Sequence, residues 1–454
     1  MLNIHPEAIR NIEEKATDLL LKVRRGTLNR SEGVSFSVDR FVSAQITSED
    51  IVGEIVPSLS DQYGRTVAKF FNSGSQTWGL VEADYEDLKR LVSLISKNAE
   101  VRKLLSLSFL EDEVFFWCRA RIRDGEQAGL TDYLKKRASE SVKRCSTWVP
   151  VAFLDVEREF EVGNAIVRPM TAQMFDEMHQ STLAEGSVQE QDAKALYDKL
   201  RRQMQGGAAV VVDVFAESGR AFELAFDAAE TVVGLLRAFS PAAFDPELVC
   251  ACAPLGTEHQ PLAKVLFIND GKFAGYKNAP PGRFLGRWQL DAEWITEVKN
   301  NGLDDVGKLV QLDCRSEFQQ AVLDSHLLYS RSTMKVDLSD RLVYILTALE
   351  SLFLKDGSEP IQQNLAERLA FSTVQKADER IEVIRNTKAI YKLRSNYLHH
   401  GAAPSETQEM KAFLLTACTG LEVARKNTNC FKTVTDFCKA LDRYKLGGSA
   451  RLSD

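Results

Sequence analysis

The residues whose types and spacing could do chemistry stand together in Arg394-Ser395-Asn396-Tyr397-Leu398-His399-His400-Gly401. Two of the chain's six histidines are adjacent here. Arginine offers phosphate a planar fork of donors, and histidine moves protons near neutral pH. Asn396 stands between them and can orient a ring nitrogen or a phosphate oxygen. The set points to metal-independent chemistry on a phosphodiester. From Arg385 to His400 the charged residues are Arg385, Lys388, Lys392 and Arg394, with no acidic one among them. A helix C-terminus favours basic side chains by itself. That explains part of the charge and none of the Arg-Asn-His-His grouping.

Those residues need a helix to position them. The spacing predicts one from Lys376 to about His400, with Ile381, Ile384, Ile390 and Leu393 facing inward and Gly401-Ala-Ala-Pro404 ending it. On such a helix Arg394 shares a face with Tyr397 and Leu398. His399 falls about 140° round and about 7.5 Å along from Arg394, and His400 about 240° round. An ideal helix therefore aims the two histidines apart, and the glycine lets the last turn relax.

Around it the pattern is helical from about residue 312. Expected helices run from Leu312 to Ser332, then to about Leu354 after a cap at Asp337 or Ser339. Another begins at Glu359-Pro360 and passes Leu365 and Leu369. Two more run from Ser405 to about Lys426 and from Val434 to Leu446, stopped by Gly447-Gly448. Helices joined by short breaks signal an antiparallel bundle. Residues 335–446 hold 17 Lys and Arg against 14 Asp and Glu, so this part is basic within a chain of net charge −7. A basic helix in an acidic protein suits transient capture of a polyanion better than tight non-specific binding.

The earlier chain is mixed. Pro6 to about Arg25 reads as an amphipathic helix, and residues 33–75 as β-rich, with Gly33 to Val38 alternating. Helical runs follow from Glu82 to about Lys97, from Val101 to about Ile122, and onward to about Lys143. Strands are expected at Trp148–Leu154, Asn164–Pro169, Ala208–Phe215, Val249–Ala253 and Ala263–Asn269. Helices are expected at 171–203 and from Phe222 to about Phe239, and a turn at Asn278–Gly282. The fold class is thus α+β. A mostly helical region at 1–143 and an α/β region at 144–310 precede an all-α bundle at 311–448, and 449–454 is a disordered tail.

Composition excludes several classes. Apolar content of 44% and charged content of 27% are those of a globular protein. No run reaches the roughly 18 apolar residues of a membrane span, and charges through residues 1–26 break any export signal. The expectation is a cytoplasmic chain with no membrane partner. Of eight cysteines, Cys250 and Cys252 would share one face of a strand, but no second pair completes a zinc spacing. They and the other six read as buried free thiols. His5, His179, His259 and His326 are isolated and read as surface or satisfied core residues. Gly206-Gly207 precedes a strand, whereas phosphate-cradling glycines follow one. Neither a metal nor a cofactor is expected.

Residues 312–446 resemble the HEPN superfamily, and within it the ApeA-like group of bacterial helical domains. The family motif is Arg, four to six residues, then His. Arg394 to His399 fits with four intervening residues and Arg394 to His400 with five. Asp340-Arg341 through Ala348-Leu349-Glu350-Ser351-Leu352 resembles the family's preceding helix, and Glu367-Arg368-Leu369-Ala370 its following one. One residue more than the Arg-Ser-x-x-x-His-Gly form stands before Gly401. This leaves the catalytic role between His399, taken as principal, and His400.

The resemblance implies a metal-independent endoribonuclease serving anti-phage defence or a toxin role, dimeric through this domain. Arg394 would stabilise the phosphate, Asn396 would orient a histidine or the phosphate, and Glu350 would either support Arg394 or serve as a packing cap between neighbouring helices. Arg385, Lys388 and Lys392 would hold RNA. Residues 1–310 would bind a phage-derived or cellular trigger. Two other readings stay open: a non-catalytic HEPN scaffold, and a sensor or adaptor.

Overall fold

Every strand described in the computed structural model lies before residue 291, and all regular structure described after it is helical. The chain is α+β, a mixed α/β N-terminal region followed by a largely α-helical C-terminal one. The structure describes residues 2, 4–25, 58–73, 76–186, 189–257, 263–269, 272–279, 283–400 and 407–447. The expected alternation at Gly33 to Val38, the tail at 449–454 and the break at Gly401 to Pro404 lie outside them. Among the described residues no helix is long and apolar enough to cross a membrane. The chain divides into two units, residues 1–145 with 214–224, and residues 146–213 with 225–454.

In the first unit α1 (Pro6–Lys22) starts on Pro6, whose missing N–H costs nothing at a first turn. It buries Ile12, Ala16 and Leu19, spaced four and three apart. The strands Thr66–Ser73 and Gln76–Val81 form the centre of an antiparallel sheet. Next come α2 (Glu82–Ile95), α3 (Ala99–Leu104), α4 (Leu107–Arg119) and α5 (Leu130–Ser141). The run expected from Val101 to Ile122 is two helices, because Leu105 is extended and Ser106 caps α4 by accepting from the Phe109 N–H. Glu13 of α1 caps α5, accepting from the N–H groups of Leu130 and Thr131 at 3.0 and 2.7 Å. The glycine at 129 leaves room for that carboxylate, which a Cβ would meet at 2.8 Å.

The second unit carries a five-stranded sheet in the order Ala253–Pro254, Lys143–Ala152, Ala208–Ala216, Ala165–Pro169 and Phe160–Val162. The helix expected over 171–203 is two, α6 (Ala172–Glu185) and α7 (Glu190–Met204), because Gly186 turns left-handed and closes the first. Next is α8 (Ser218–Ala238), of which the part from Ala225 onward belongs to this unit. The strand expected at Val249–Ala253 is two fragments, Leu248–Val249 and Ala253–Pro254, so Cys250 and Cys252 lie between strands. Asn278 and Ala279, expected in a turn, pair with Lys264 and Ala263 in a hairpin. Cys314 and Cys430 are exposed rather than buried.

Two helices, α9 (Ala292–Val298) and α10 (Asp304–Gln311), flank a π-turn in which Gly302 has φ +117°. A Cβ at 302 would overlap the guanidinium of Arg425, so the backbone stays bare for that side chain to cross.

Six helices complete the unit: α11 (Glu317–Ser332), α12 (Leu338–Phe353), α13 (Ile361–Thr373), α14 (Ala377–His400), α15 (Thr407–Lys426) and α16 (Val434–Lys445). The helix expected from Leu312 starts only at Glu317, where Ser316 and Gln319 form a capping box. Asp337 caps α12 by accepting from the Ser339 and Asp340 N–H groups. Leu342, Ile345, Leu346, Leu349, Leu352 and Phe353 of α12 are all buried, each stabilising by roughly 1.5–3 kcal/mol. Gly420 of α15 lets α13 approach, since a Cβ there would meet Leu369 Cδ1 at 2.5 Å.

Candidate functional site

The centre of the site is a carboxylate in the bundle. Glu350 belongs to α12, one residue beyond the buried Leu349, and its side chain is 22% exposed. Arg394 of α14 donates from Nη1 to Glu350 Oε1 at 3.1 Å. Tyr391, one turn earlier on the same face of α14, donates its hydroxyl to that same oxygen at 2.8 Å. Burial first, then the charge and the hydrogen bond of Glu350, hold the Tyr391 phenol well above its ordinary range. Tyr391 is therefore a fixed donor. The Arg394 side chain is 25% exposed, and its Nε is buried without a partner. One carboxylate oxygen thus sets the reach of the guanidinium.

Ile390 and Thr387 anchor this stretch, both almost fully buried. Thr387 Oγ1 has no hydrogen-bond partner among the described residues. The expected inward positions are only partly inward. Ile390 is in the core, Ile384 and Leu393 are half-buried, and Ile381 is 54% exposed. Ile381 lies in the helix's first turns, where the polar Asp378, Glu379 and Glu382 surround it.

The other expected site residues spread around the helix. Asn396 is half-buried and bonds no described side chain. Lys392 is exposed, Lys388 is half-buried, and Arg385 pairs with Glu382 at 2.7 Å. Helical register puts Arg385 and Lys392 about 180–200° from Arg394. Four basic residues close in sequence therefore do not make one basic face. Arg385 instead lines a cavity of about 330 Å³ between α14 and α15 with Glu382 and Glu409. The backbone of α14 is helical through His400, which keeps residue 399 about 140° from Arg394. The side chains of Leu398, His399 and His400 lie outside the described ones.

Two arginines of the stretches that suggested a family are structural. Arg341 is fully buried and donates to the carbonyls of Ala242, Asp245, Pro246 and Leu248 at 2.5–3.3 Å. Arg368 is 3% exposed and holds both oxygens of Glu359 and both of Asp442. Its two partners are held below their usual carboxylate range, with burial opposing the Arg368 hydrogen bonds. Sequence reasoning missed Tyr391. The available signal was its place three residues before Arg394, which puts the two on one face of a helix.

No family model, curated protein or solved structure matches this chain.

Proposed function

We propose that this chain is a metal-independent endoribonuclease with a HEPN-like helical domain, acting as a homodimer on single-stranded RNA. The observation that carries the reading is the Glu350–Arg394 pair, which holds a partly exposed guanidinium five residues before the doubled histidine. One helix separates Arg394 from residue 399 by about 140°. A second copy would bring further imidazoles to the same phosphate. RNA cleavage needs a base for the 2′-hydroxyl and an acid for the leaving 5′-oxygen, and imidazole serves either role.

The 2′-oxygen would attack the adjacent phosphorus as one histidine takes its proton. The P–O5′ bond would break as the other gives a proton, leaving a 2′,3′-cyclic phosphate and a 5′-hydroxyl. Arg394 would stabilise charge on the non-bridging oxygens, with Glu350 and Tyr391 fixing it. Asn396 would orient a ring or the phosphate. DNA lacks the nucleophile. Arg385, Lys388 and Lys392 would contact RNA from other sides of α14, away from the Arg394 face. Residues 1–310 would sense a trigger in an anti-phage or toxin role.

A second reading is a non-catalytic scaffold or adaptor. The bond between α12 and α14 favours it, because Arg394 and Tyr391 also serve as a clamp between helices. Purified dimer incubated with single-stranded RNA in EDTA separates the two. Cleavage lost in Arg394→Ala, with the dimer retained, supports the enzyme. An inactive parent whose dimer dissociates in Arg394→Ala supports the scaffold.

A further inference from the structure

A second charged site lies between α8 and α11. The helices approach closely because residue 234 is glycine: a Cβ there would meet Leu327 Cδ2 at 2.9 Å and Ser330 Oγ at 3.6 Å. Beside this contact is a cavity of about 400 Å³, whose polar lining includes Asp227, Glu230, Arg237, Ser330 and Arg331. Arg237 is 8% exposed. Its Nη1 donates to the Cys252 carbonyl at 2.6 Å, and its Nε is buried without a partner. Among the described residues neither Arg237 nor Arg331 forms an ion pair.

The sign of the cavity floor follows from depth. Asp227, Glu230 and Arg331 are exposed at the rim, where water and salt screen them. Arg237 lies below them, and a buried charge is costly without a counter-charge. Burial pulls Arg237 below the ordinary guanidinium range, opposed by the Cys250 and Cys252 thiols and Glu230. Arg331 is near enough to push in the same direction as burial. Arg237 thus makes the floor of the cavity positive, and the Arg331 fork stands above it at the rim beside Asp227 and Glu230.

We propose that this cavity binds a phosphate group through Arg237 Nη2 and the Arg331 guanidinium. A phosphate presents enough oxygens to accept from both guanidinium forks at once, whereas a carboxylate presents only two. The volume falls in the range of small-ligand sites and leaves room for an organic moiety beside the phosphate. Inorganic phosphate and a nucleoside monophosphate present the same group. The site shares no residue with Arg394 and Glu350 and stands whether or not the chain cleaves RNA.

Calorimetric titration of the full chain in chloride buffer tests this, with inorganic phosphate and AMP as separate probes. One equivalent of phosphate is expected to bind and to compete with AMP. Tighter binding of AMP would identify a nucleotide as the source, and equal binding inorganic phosphate. Arg331→Ala, at an exposed position, should weaken binding about tenfold or more. Arg237→Lys keeps the charge, loses the fork and should weaken it similarly, with an unchanged circular dichroism spectrum confirming the fold. Absence of binding by both probes, or unchanged affinity in Arg331→Ala, overturns the proposal.

Discussion

Arg394 and Glu350 join α14 to α12 by a bond of 3.1 Å, and the oxygen that accepts it also accepts the Tyr391 hydroxyl at 2.8 Å. A carboxylate shared in this way makes the two donors interdependent. Glu350→Gln keeps the shape and removes the charge, so it should cost about 1 kcal/mol of stability by urea unfolding. Under the ribonuclease reading it should also lower RNA cleavage about tenfold, because the guanidinium loses its anchor. Tyr391→Phe should cost a similar stability and less activity. Full activity in Glu350→Gln would remove Glu350 from the site.

Arg341 holds four carbonyls of residues 242–248 from inside the bundle. Replacing it by Ala leaves those acceptors buried and unpaired. The expected loss is about 3 kcal/mol or more, read as a lower denaturation midpoint. Arg341→Lys should recover only part of it, since one ammonium cannot reproduce the fork.

His326 gives the fold a pH dependence of defined sign. It is 4% exposed, and its Nδ1 lies 2.8 Å from the Val322 carbonyl. Burial pulls its pKa down to about 4, from 6.5. The unfolded chain therefore binds the proton first, and stability falls as pH drops from about 6.5 toward 4. Between pH 7 and pH 5 the loss should be about 2 kcal/mol. His326→Gln should flatten that slope in chemical denaturation series at the two pH values. An unchanged slope would assign the dependence elsewhere.

Legibility in the sequence follows how local each signal is. Helix α12 was readable because Asp337 caps it and its apolar residues recur on one face. Strand Ala208–Ala216 was readable from its run of valines. The breaks at Ser106 and Gly186 lie inside helical patterns, and each rests on one residue's backbone. Arg341 and Arg368 were not readable as buried, because a charge is interred only when distant carbonyls or carboxylates await it. At the site, Glu350 was legible as a partner for Arg394. Tyr391 was not, since its role depends on the register between two helices. Charge proximity along the chain also misled: Arg385 and Lys392 sit across the helix from Arg394.

Gly302 tests how closely α15 is fitted to the π-turn. Its φ of +117° suits glycine alone, and a side chain would overlap Arg425. Gly302→Ala should cost about 2 kcal/mol or more and displace Arg425 from Asp305. A melting temperature equal to the parent's would show that the turn relaxes freely.

The central claim is most directly tested by incubating the purified chain with single-stranded RNA in EDTA and analysing the product ends. The metal-independent mechanism predicts 2′,3′-cyclic phosphate and 5′-hydroxyl ends, absent with a 2′-deoxy substrate. It predicts their loss in Arg394→Ala and in the His399→Ala, His400→Ala double variant, both still dimeric. Cleavage that stops in EDTA and returns with magnesium, or persists in either variant, would contradict it.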